Sequence, residues 1–119
     1  MKLYIFAEQD ELEDIAEALY AKIAAWAEPK TTVTAIYRHD DSAEPVRGKY
    51  RDIEVGIEFS AKNSNKLKEP LNTLYKLAKD YKCEFVVGQI EDDTYQDVCY
   101  FGHEEGRPDM FEIANYLEL

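Results

Sequence analysis

The side chains best suited to metal binding or nucleophilic chemistry are two histidines and two cysteines. Cys99 and His103 lie four residues apart in the segment CYFGHEE, and His39 begins the segment HDD. A structural zinc site normally takes four ligands in two closely spaced pairs, and neither segment supplies a second pair. The sequence therefore predicts no metal and no cofactor. A small metal-dependent enzyme or sensor built from these residues is the less favoured alternative.

Hydrolysis by a carboxylate pair is the other chemistry that the residue types allow. Glu54 and Glu58 lie four residues apart in a predicted strand, but an open sheet gives neither of them the apolar surroundings that keep a general acid protonated. No Ser/His/Asp or Cys/His set is apparent. Gly102 and Gly106 enclose acidic residues, which would repel a phosphate group. We therefore predict that the protein is not an enzyme.

The most informative segment is DIEVGIEFSA, residues 52–61. Because successive side chains of a strand point to opposite faces, its apolar residues share one side and its carboxylates share the other. The apolar side comprises Ile53, Val55, Ile57 and Phe59. The other side comprises Asp52, Glu54, Gly56, Glu58 and Ser60. A half-buried strand does not need three carboxylates facing solvent, where like charges repel, so we interpret them as a surface that receives a basic partner.

Composition narrows the choice of partner. The chain has 119 residues, which predicts a single domain spanning residues 1–119. Its formal charge of −11 opposes binding to nucleic acid and to anionic membranes, so an electrostatic partner should be basic, or a cation. The first residues, MKLYIFAEQDE, lack the apolar run of a signal peptide, and Cys83 and Cys99 fit reduced thiols. We therefore expect a cytoplasmic protein.

Hydrophobic periodicity predicts a β-α-β-β-α-β series followed by a further strand and helix. Strands are predicted for residues 2–8, 31–39, 52–61, 83–90 and 98–101. Helices are predicted for residues 11–27, about 68–81 and 110–116. Asp10 and Glu13 resemble a capping box for the first helix, and Ser64 or Asn65 can cap the second. The segment EDDTYQD, residues 91–97, is predicted to be a charged turn.

This order predicts an α+β fold with a ferredoxin-like split β-α-β antiparallel sheet, helices on one face, and a C-terminal strand and helix. In that topology the first and third strands are central neighbours. Tyr4 and Phe6 would then lie beside Glu54 and Glu58 on the face without helices, unless the last helix folds across it. The sequence does not decide between these positions of the last helix, nor does it give the oligomeric state.

Acidic contacts and aromatic anchors together define the predicted partner-binding residues. Tyrosine combines contact area with a polar tip and is enriched in protein interfaces, so tyrosine mixed with carboxylates suits a lysine- or arginine-rich surface. The predicted acidic contacts are Glu54, Glu58, Asp92, Asp93 and Asp97. The predicted anchors are Tyr4, Tyr95 and Tyr100.

The segments DIEVGIEFSAKNSNKLKEPLNTLYKLAKDYKCEFVVGQIEDD and CYFGHEEGRPDMFEIANYLEL resemble the small immunity proteins of bacterial contact-dependent growth inhibition and related polymorphic toxin systems. The resemblance implies non-catalytic neutralisation of a basic toxin, often a nuclease, in the cytoplasm of the producing cell. The layout is also similar to that of the acidic RraB-type regulators of ribonuclease E, although the long acidic tail expected there is missing. That resemblance implies inhibition of a cellular ribonuclease by protein contact.

Overall fold

A computed structural model describes residues 1–39 and 53–119 and contains five strands and three helices. The strands are β1 (Lys2–Glu8), β2 (Val33–His39), β3 (Ile53–Ser60), β4 (Glu84–Glu91) and β5 (Thr94–Gly102). The helices are α1 (Ala16–Ala27), α2 (Lys68–Tyr81) and α3 (Met110–Leu117). Asp52, predicted to begin the acidic strand, and the possible metal ligands Asp40 and Asp41 lie outside the described residues.

The five strands form one antiparallel sheet in the order β2-β3-β1-β4-β5. β1 lies at its centre, where Ile5 pairs with Ile57 of β3 and with Val87 of β4. Alternating side chains of β1 belong to two separate buried clusters, as strand geometry requires. The predicted α+β class and the central position of the first strand are therefore confirmed.

All three helices pack against the same face of the sheet. Leu19 of α1, Leu74 of α2 and Ile113 of α3 share one buried apolar cluster with Leu3 and Ile5 of β1. Tyr4 and Phe6, on the opposite side of β1, belong to a second cluster that contains no residue of α3. The last helix therefore lies with the other two and does not cover Tyr4 and Phe6.

The start of the first helix differs from the prediction. The residue Glu11 has a left-handed backbone (φ 56°), which interrupts any helix that begins there. A short 3-10 turn, Leu12–Asp14, precedes α1, and neither segment has a side-chain cap. The predicted capping box of Asp10 and Glu13 is therefore wrong. Burial of Leu12 fixes this turn against the core instead.

The second helix begins where the sequence predicts, at Lys68. Pro70 lies in its first turn, where a missing backbone N–H costs nothing. A 3-10 turn, Ser64–Leu67, leads into the helix, and the Asn63 side chain caps that turn by accepting a hydrogen bond from the backbone of Asn65. α2 itself has no side-chain cap, so the prediction that Ser64 or Asn65 caps the second helix is wrong.

The β4–β5 hairpin is longer than predicted. Asp92 and Asp93 both have left-handed backbones (φ 51° and 64°) and form a two-residue turn, a geometry more often made by Asn-Gly. β5 therefore begins at Thr94 rather than Val98, and the charged turn predicted for residues 91–97 is wrong. As a result Tyr95 and Asp97 are strand residues, paired with Ile90 and Gly88 of β4.

Candidate protein-binding surface

The face of the sheet without helices carries a network of charged side chains centred on Arg38 of β2. Its Nε donates to Oε1 of Glu54 at 3.0 Å, and its Nη2 donates to Oε2 of Glu58 at 2.6 Å. Register explains the first contact, because Arg38 and Glu54 are directly paired across β2 and β3. One guanidinium group thus joins both carboxylates of the acidic strand.

Tyr95 and Lys2 complete the contacts of Glu58. The Tyr95 hydroxyl donates to Oε2 of Glu58 at 2.9 Å and accepts a hydrogen bond from Arg38 Nη2 at 3.3 Å, while Lys2 Nζ lies 3.7 Å from Oε1 of Glu58. Burial and the bond to Glu58 raise the pKa of Tyr95. Partial burial lowers the pKa of Arg38, but its bonds to Glu58 and Tyr95 and the charge of Glu54 raise it overall.

The two glutamates are therefore internal rather than solvent-facing. Only 3% of the Glu54 surface and 9% of the Glu58 surface is exposed. The expectation that they project from the sheet as an acidic front is wrong, because both are buried, Arg38 pairs with both, and Lys2 and Tyr95 also contact Glu58. Buried charges are tolerated when they are paired and hydrogen-bonded in this way.

Tyr4 is also internal. Its ring lies over Gly88 of β4, where an added Cβ would come within 2.2 Å of the ring, and its hydroxyl donates to the Asp97 carboxylate of β5. The ring centroid lies 4.8 Å from that of Phe6 and 5.3 Å from that of Tyr95. Because Tyr4 and Tyr95 are buried in this cluster, they are not the exposed anchors that the sequence predicts.

The remaining predicted contacts lie along the β4–β5 hairpin. Asp92 and Asp93 are exposed at its tip, Asp97 is partly buried, and Tyr100 is 50% exposed. A groove of about 660 Å³ follows this part of β5. Its lining residues are Glu8, Thr94, Tyr95, Gln96, Asp97 and Tyr100. Four of the eight predicted residues are thus accessible, in one region of the surface.

Two exposed aromatic residues of α3 were missed by the sequence analysis. Phe111 is 75% exposed and Tyr116 is 55% exposed, and the Tyr116 hydroxyl donates to Glu112 at 2.8 Å. Ile113 of α3 shares the buried apolar cluster with Phe101 of β5, so the two elements pack together. Burial and the nearby charge of Glu112 raise the pKa of Cys99 in β5 to about 11. Phe111 and Tyr116 lie outside the buried stripe of α3, which comprises Ile113, Ala114 and Leu117. Their position in this helical pattern could have predicted that they are exposed.

We call the region that wraps around the β5 edge of the sheet the β5–α3 surface. Asp97 and Tyr100 lie on the side of β5 that faces away from the helices, and α3 lies on the other side. The surface comprises Asp92, Asp93, Asp97, Tyr100, Phe111, Glu112 and Tyr116. Between residues 84 and 119 the chain has ten carboxylate side chains and a single cationic one, Arg107. Residues 53–83 have the opposite balance, with six lysines against four carboxylates. The negative charge of the protein is therefore concentrated on the segments that form this surface.

The residues considered for metal binding are not brought together. His39 ends β2, Cys99 lies within β5, and His103 follows β5 in an exposed turn. In residues 1–39 and 53–119, no three histidine, cysteine or carboxylate side chains are grouped to hold a metal ion. Cys83 and Cys99 are free thiols. Burial raises their pKa values to about 12 and about 11, so both are protonated near neutral pH.

No helix within the described part of the chain is long and apolar enough to cross a membrane. Comparisons with known proteins add no relative: no protein-family model matches the chain, and neither the curated proteins nor the solved structures searched contain a match.

Proposed function

We propose that this protein is a non-catalytic binding protein that recognises a basic protein through the β5–α3 surface and inhibits it by occlusion. The observation that carries this proposal is the coincidence of exposed aromatics with concentrated negative charge. Tyr100, Phe111 and Tyr116 project from segments whose only cation is Arg107. Aromatic residues at the centre of an interface with charges at its rim are the usual composition of a binding site for another protein.

The proposed partner is a basic toxin domain, a class that includes nucleases, and the proposed role is that of an immunity protein in the cytoplasm of the producing cell. Complementary charge would accelerate association, and buried aromatic contacts would slow dissociation. An acidic regulator of a cellular ribonuclease would use the same surface. The identity of the bound enzyme distinguishes these two roles.

We further propose that β1, α1, β2, β3, α2 and β4 form a ferredoxin-like split β-α-β unit, to which β5 and α3 are added at one edge. The strand order β2-β3-β1-β4 and the position of the helices on one face support this arrangement. In this proposal the added strand and helix carry the binding surface. The ferredoxin-like unit supplies the rigid sheet that positions them.

The ionic network of Arg38 has a supporting role in this proposal. Glu54 and Glu58 hold Arg38 and Tyr95 in place, and Tyr4 reaches across Gly88 to Asp97. These bonds fix the side of β5 that faces away from the helices. The predicted contacts Glu54, Glu58, Tyr4 and Tyr95 would thus stabilise the surface from within rather than touch the partner.

The proposal is tested with immobilised protein and two variants that lose the same number of charges. The surface variant carries Asp92→Asn, Asp93→Asn and Glu112→Gln, and asparagine tolerates the left-handed turn. The control variant carries Glu13→Gln, Asp14→Asn and Glu17→Gln, all exposed at the beginning of α1. Bound proteins are identified by mass spectrometry, and the activity of each is then measured with increasing amounts of the wild-type protein.

We expect a basic enzyme to bind the wild-type and control proteins, to bind the surface variant at least about tenfold more weakly, and to lose activity at one equivalent of inhibitor. A partner that binds all three proteins equally would refute the assignment of the surface. A partner that binds through the surface but keeps its full activity would refute inhibition.

A further inference from the structure

A groove beside α2 is lined by three cationic side chains and by no carboxylate. Its volume is about 340 Å³. The lining residues are Asn72, Thr73, Tyr75, Lys76, Lys79 and Arg107. All are cationic or can donate a hydrogen bond from a neutral side chain, and no carboxylate lines the groove. This composition is the reverse of that of the β5–α3 surface.

Helical spacing aligns most of these side chains. Asn72, Tyr75, Lys76 and Lys79 occupy positions i, i+3, i+4 and i+7 of α2 and therefore share one face. Lys79 Nζ lies 5.6 Å from the centroid of the Tyr75 ring. Arg107, from the turn between β5 and α3, brings its Cζ to within 5.6 Å of the same centroid. Two distant segments thus place cations around one aromatic ring.

The position of Arg107 is not explained by its own neighbours in sequence. It lies between Glu105 and Asp109, yet the ion pairs formed within residues 1–39 and 53–119 do not include it. The Asp109 carboxylate instead accepts hydrogen bonds from the backbone of α3, and Glu84 accepts those from the turn at residues 104–105. Arg107 and Lys79 both line this groove, and neither forms an ion pair within the described residues.

The helix dipole accounts for only part of this arrangement. A cation in the last turn of a helix is favoured by the negative end of the dipole, and Lys79 occupies such a position in α2. That explanation does not extend to Lys76, which lies before the last turn, or to Arg107, which belongs to another segment. The helix dipole therefore does not explain why Lys76 and Arg107 line the same groove as Lys79.

We propose that this groove binds a phosphate-type oxyanion, either inorganic phosphate or the phosphate group of a small molecule. A guanidinium group matches two oxygens of such an anion, and the ammonium groups of Lys76 and Lys79 supply further charge-assisted hydrogen bonds. The side chains of Asn72 and Thr73 add neutral donors. The proposed site is separate from the β5–α3 surface and does not depend on the proposed function.

The negative net charge of the protein favours a small anion over a polyanion as the ligand of this groove. Ions screen charges beyond a Debye length of about 8 Å at physiological salt, so a small anion senses mainly the local cations. A polyanion would extend beyond the groove and would be repelled by the overall charge of −11. A small phosphorylated molecule therefore fits the groove better than nucleic acid does.

The test is an NMR titration of ¹⁵N-labelled full-length protein at constant ionic strength with inorganic phosphate, pyrophosphate and adenosine 5′-monophosphate, and with chloride as the reference anion. Two variants accompany the wild type. The first combines Lys79→Gln and Arg107→Gln, and both side chains are exposed, so the fold should be unaffected. The matched control combines Lys22→Gln and Lys62→Gln, which also removes two exposed positive charges and leaves the groove lining unchanged.

We expect saturable shifts at the amides around Tyr75 and Arg107 with at least one phosphate compound, and a loss of affinity of about tenfold or more in the double variant but none in the control. Stronger binding of the ester than of inorganic phosphate would identify a phosphorylated small molecule as the ligand class. Shifts that are equal with chloride, that persist in the double variant, or that are absent with all three compounds would overturn the proposal. Tighter binding of a single-stranded oligonucleotide than of any of them would also overturn it.

Discussion

The two faces of the sheet are both largely buried, but they are stabilised by different interactions. Beneath the helices, Phe85, Phe101 and their neighbours form an apolar cluster that excludes polar groups. On the other face, Arg38, Glu58 and Tyr95 form an ionic network beside packed aromatic rings. Apolar packing is non-directional and tolerates many arrangements, whereas a buried ion pair requires every partner to be present. On the second face, the loss of stability caused by removing one charged side chain should therefore depend on which of its partners remain.

The largest effect is expected in the apolar cluster. Phe85→Ala removes a fully buried ring that stacks on Phe101 and should lower the free energy of unfolding by about 4 kcal/mol. Urea denaturation measures this change. Phe111→Ala, which truncates an exposed ring of the same type, should change stability by no more than about 0.5 kcal/mol. Equal losses in the two variants would show that the helices do not bury Phe85.

The next largest loss of stability is expected in the ionic network of Arg38, Glu58 and Tyr95. Arg38→Met leaves two buried carboxylates without their shared arginine and should cost about 3 kcal/mol, near the lower limit for broken buried pairs because Arg38 itself is partly exposed. Glu58→Gln should destabilise the wild type but stabilise the Arg38→Met variant, since it removes the uncompensated charge. The four unfolding free energies of this double-mutant cycle test the network. Additive effects would mean that Arg38 and Glu58 are not coupled.

A smaller effect is expected from filling the space beneath Tyr4. Gly88→Ala would place a Cβ within 2.2 Å of the Tyr4 ring and should cost about 2 kcal/mol, because the ring must leave its position over β4. The near-ultraviolet circular dichroism of the tyrosines should change as well. An unchanged spectrum together with unchanged stability would show that the Tyr4 ring does not lie over Gly88.

The last expected effect is a dependence of stability on alkaline pH. Burial raises the pKa values of Cys83 and Cys99 to about 12 and about 11, above the value of about 8.5 for an unfolded thiol. The unfolded state therefore loses these protons first, and stability should be constant below about pH 8.5 and fall as the pH rises towards 11. The raised pKa of Tyr95 acts in the same direction. Urea unfolding between pH 7 and 10.5 measures the decline.

Two cysteine variants test whether the buried thiols cause the loss of stability at alkaline pH. Cys99→Ala and Cys83→Ala should each reduce the slope of this loss, because each removes one thiol whose pKa differs between the folded and unfolded states. Stability that increases over this pH range would contradict the burial of the thiols.

Local sequence patterns were sufficient to predict the helix-covered face. Hydrophobic periodicity correctly placed a strand at residues 2–8 and a helix at about 68–81, and Leu71, Leu74 and Ala78 of that helix are buried. These patterns depend only on the geometry of a single strand or helix and on the low cost of burying apolar groups. The fold class could be predicted for the same reason.

The opposite face could not be predicted in this way, because its contacts join side chains from different strands. Glu58 appeared as a solvent-facing carboxylate until β2 placed Arg38 beside it and β5 placed Tyr95 beside it. The error at Tyr95 had a local origin as well. Asp92 and Asp93 form a tight turn without the usual glycine, so the start of β5 was placed four residues too late.

The central claim is that a basic partner binds the edge formed by β5 and α3. The most direct measurement is the dissociation constant of the captured partner for the Tyr100→Ala, Phe111→Ala double variant and for Tyr37→Ala, an exposed tyrosine on β2 at the opposite edge of the sheet. We predict at least about tenfold weaker binding by the double variant and unchanged binding by Tyr37→Ala. Wild-type affinity in the double variant, or an equal loss in Tyr37→Ala, would contradict the claim.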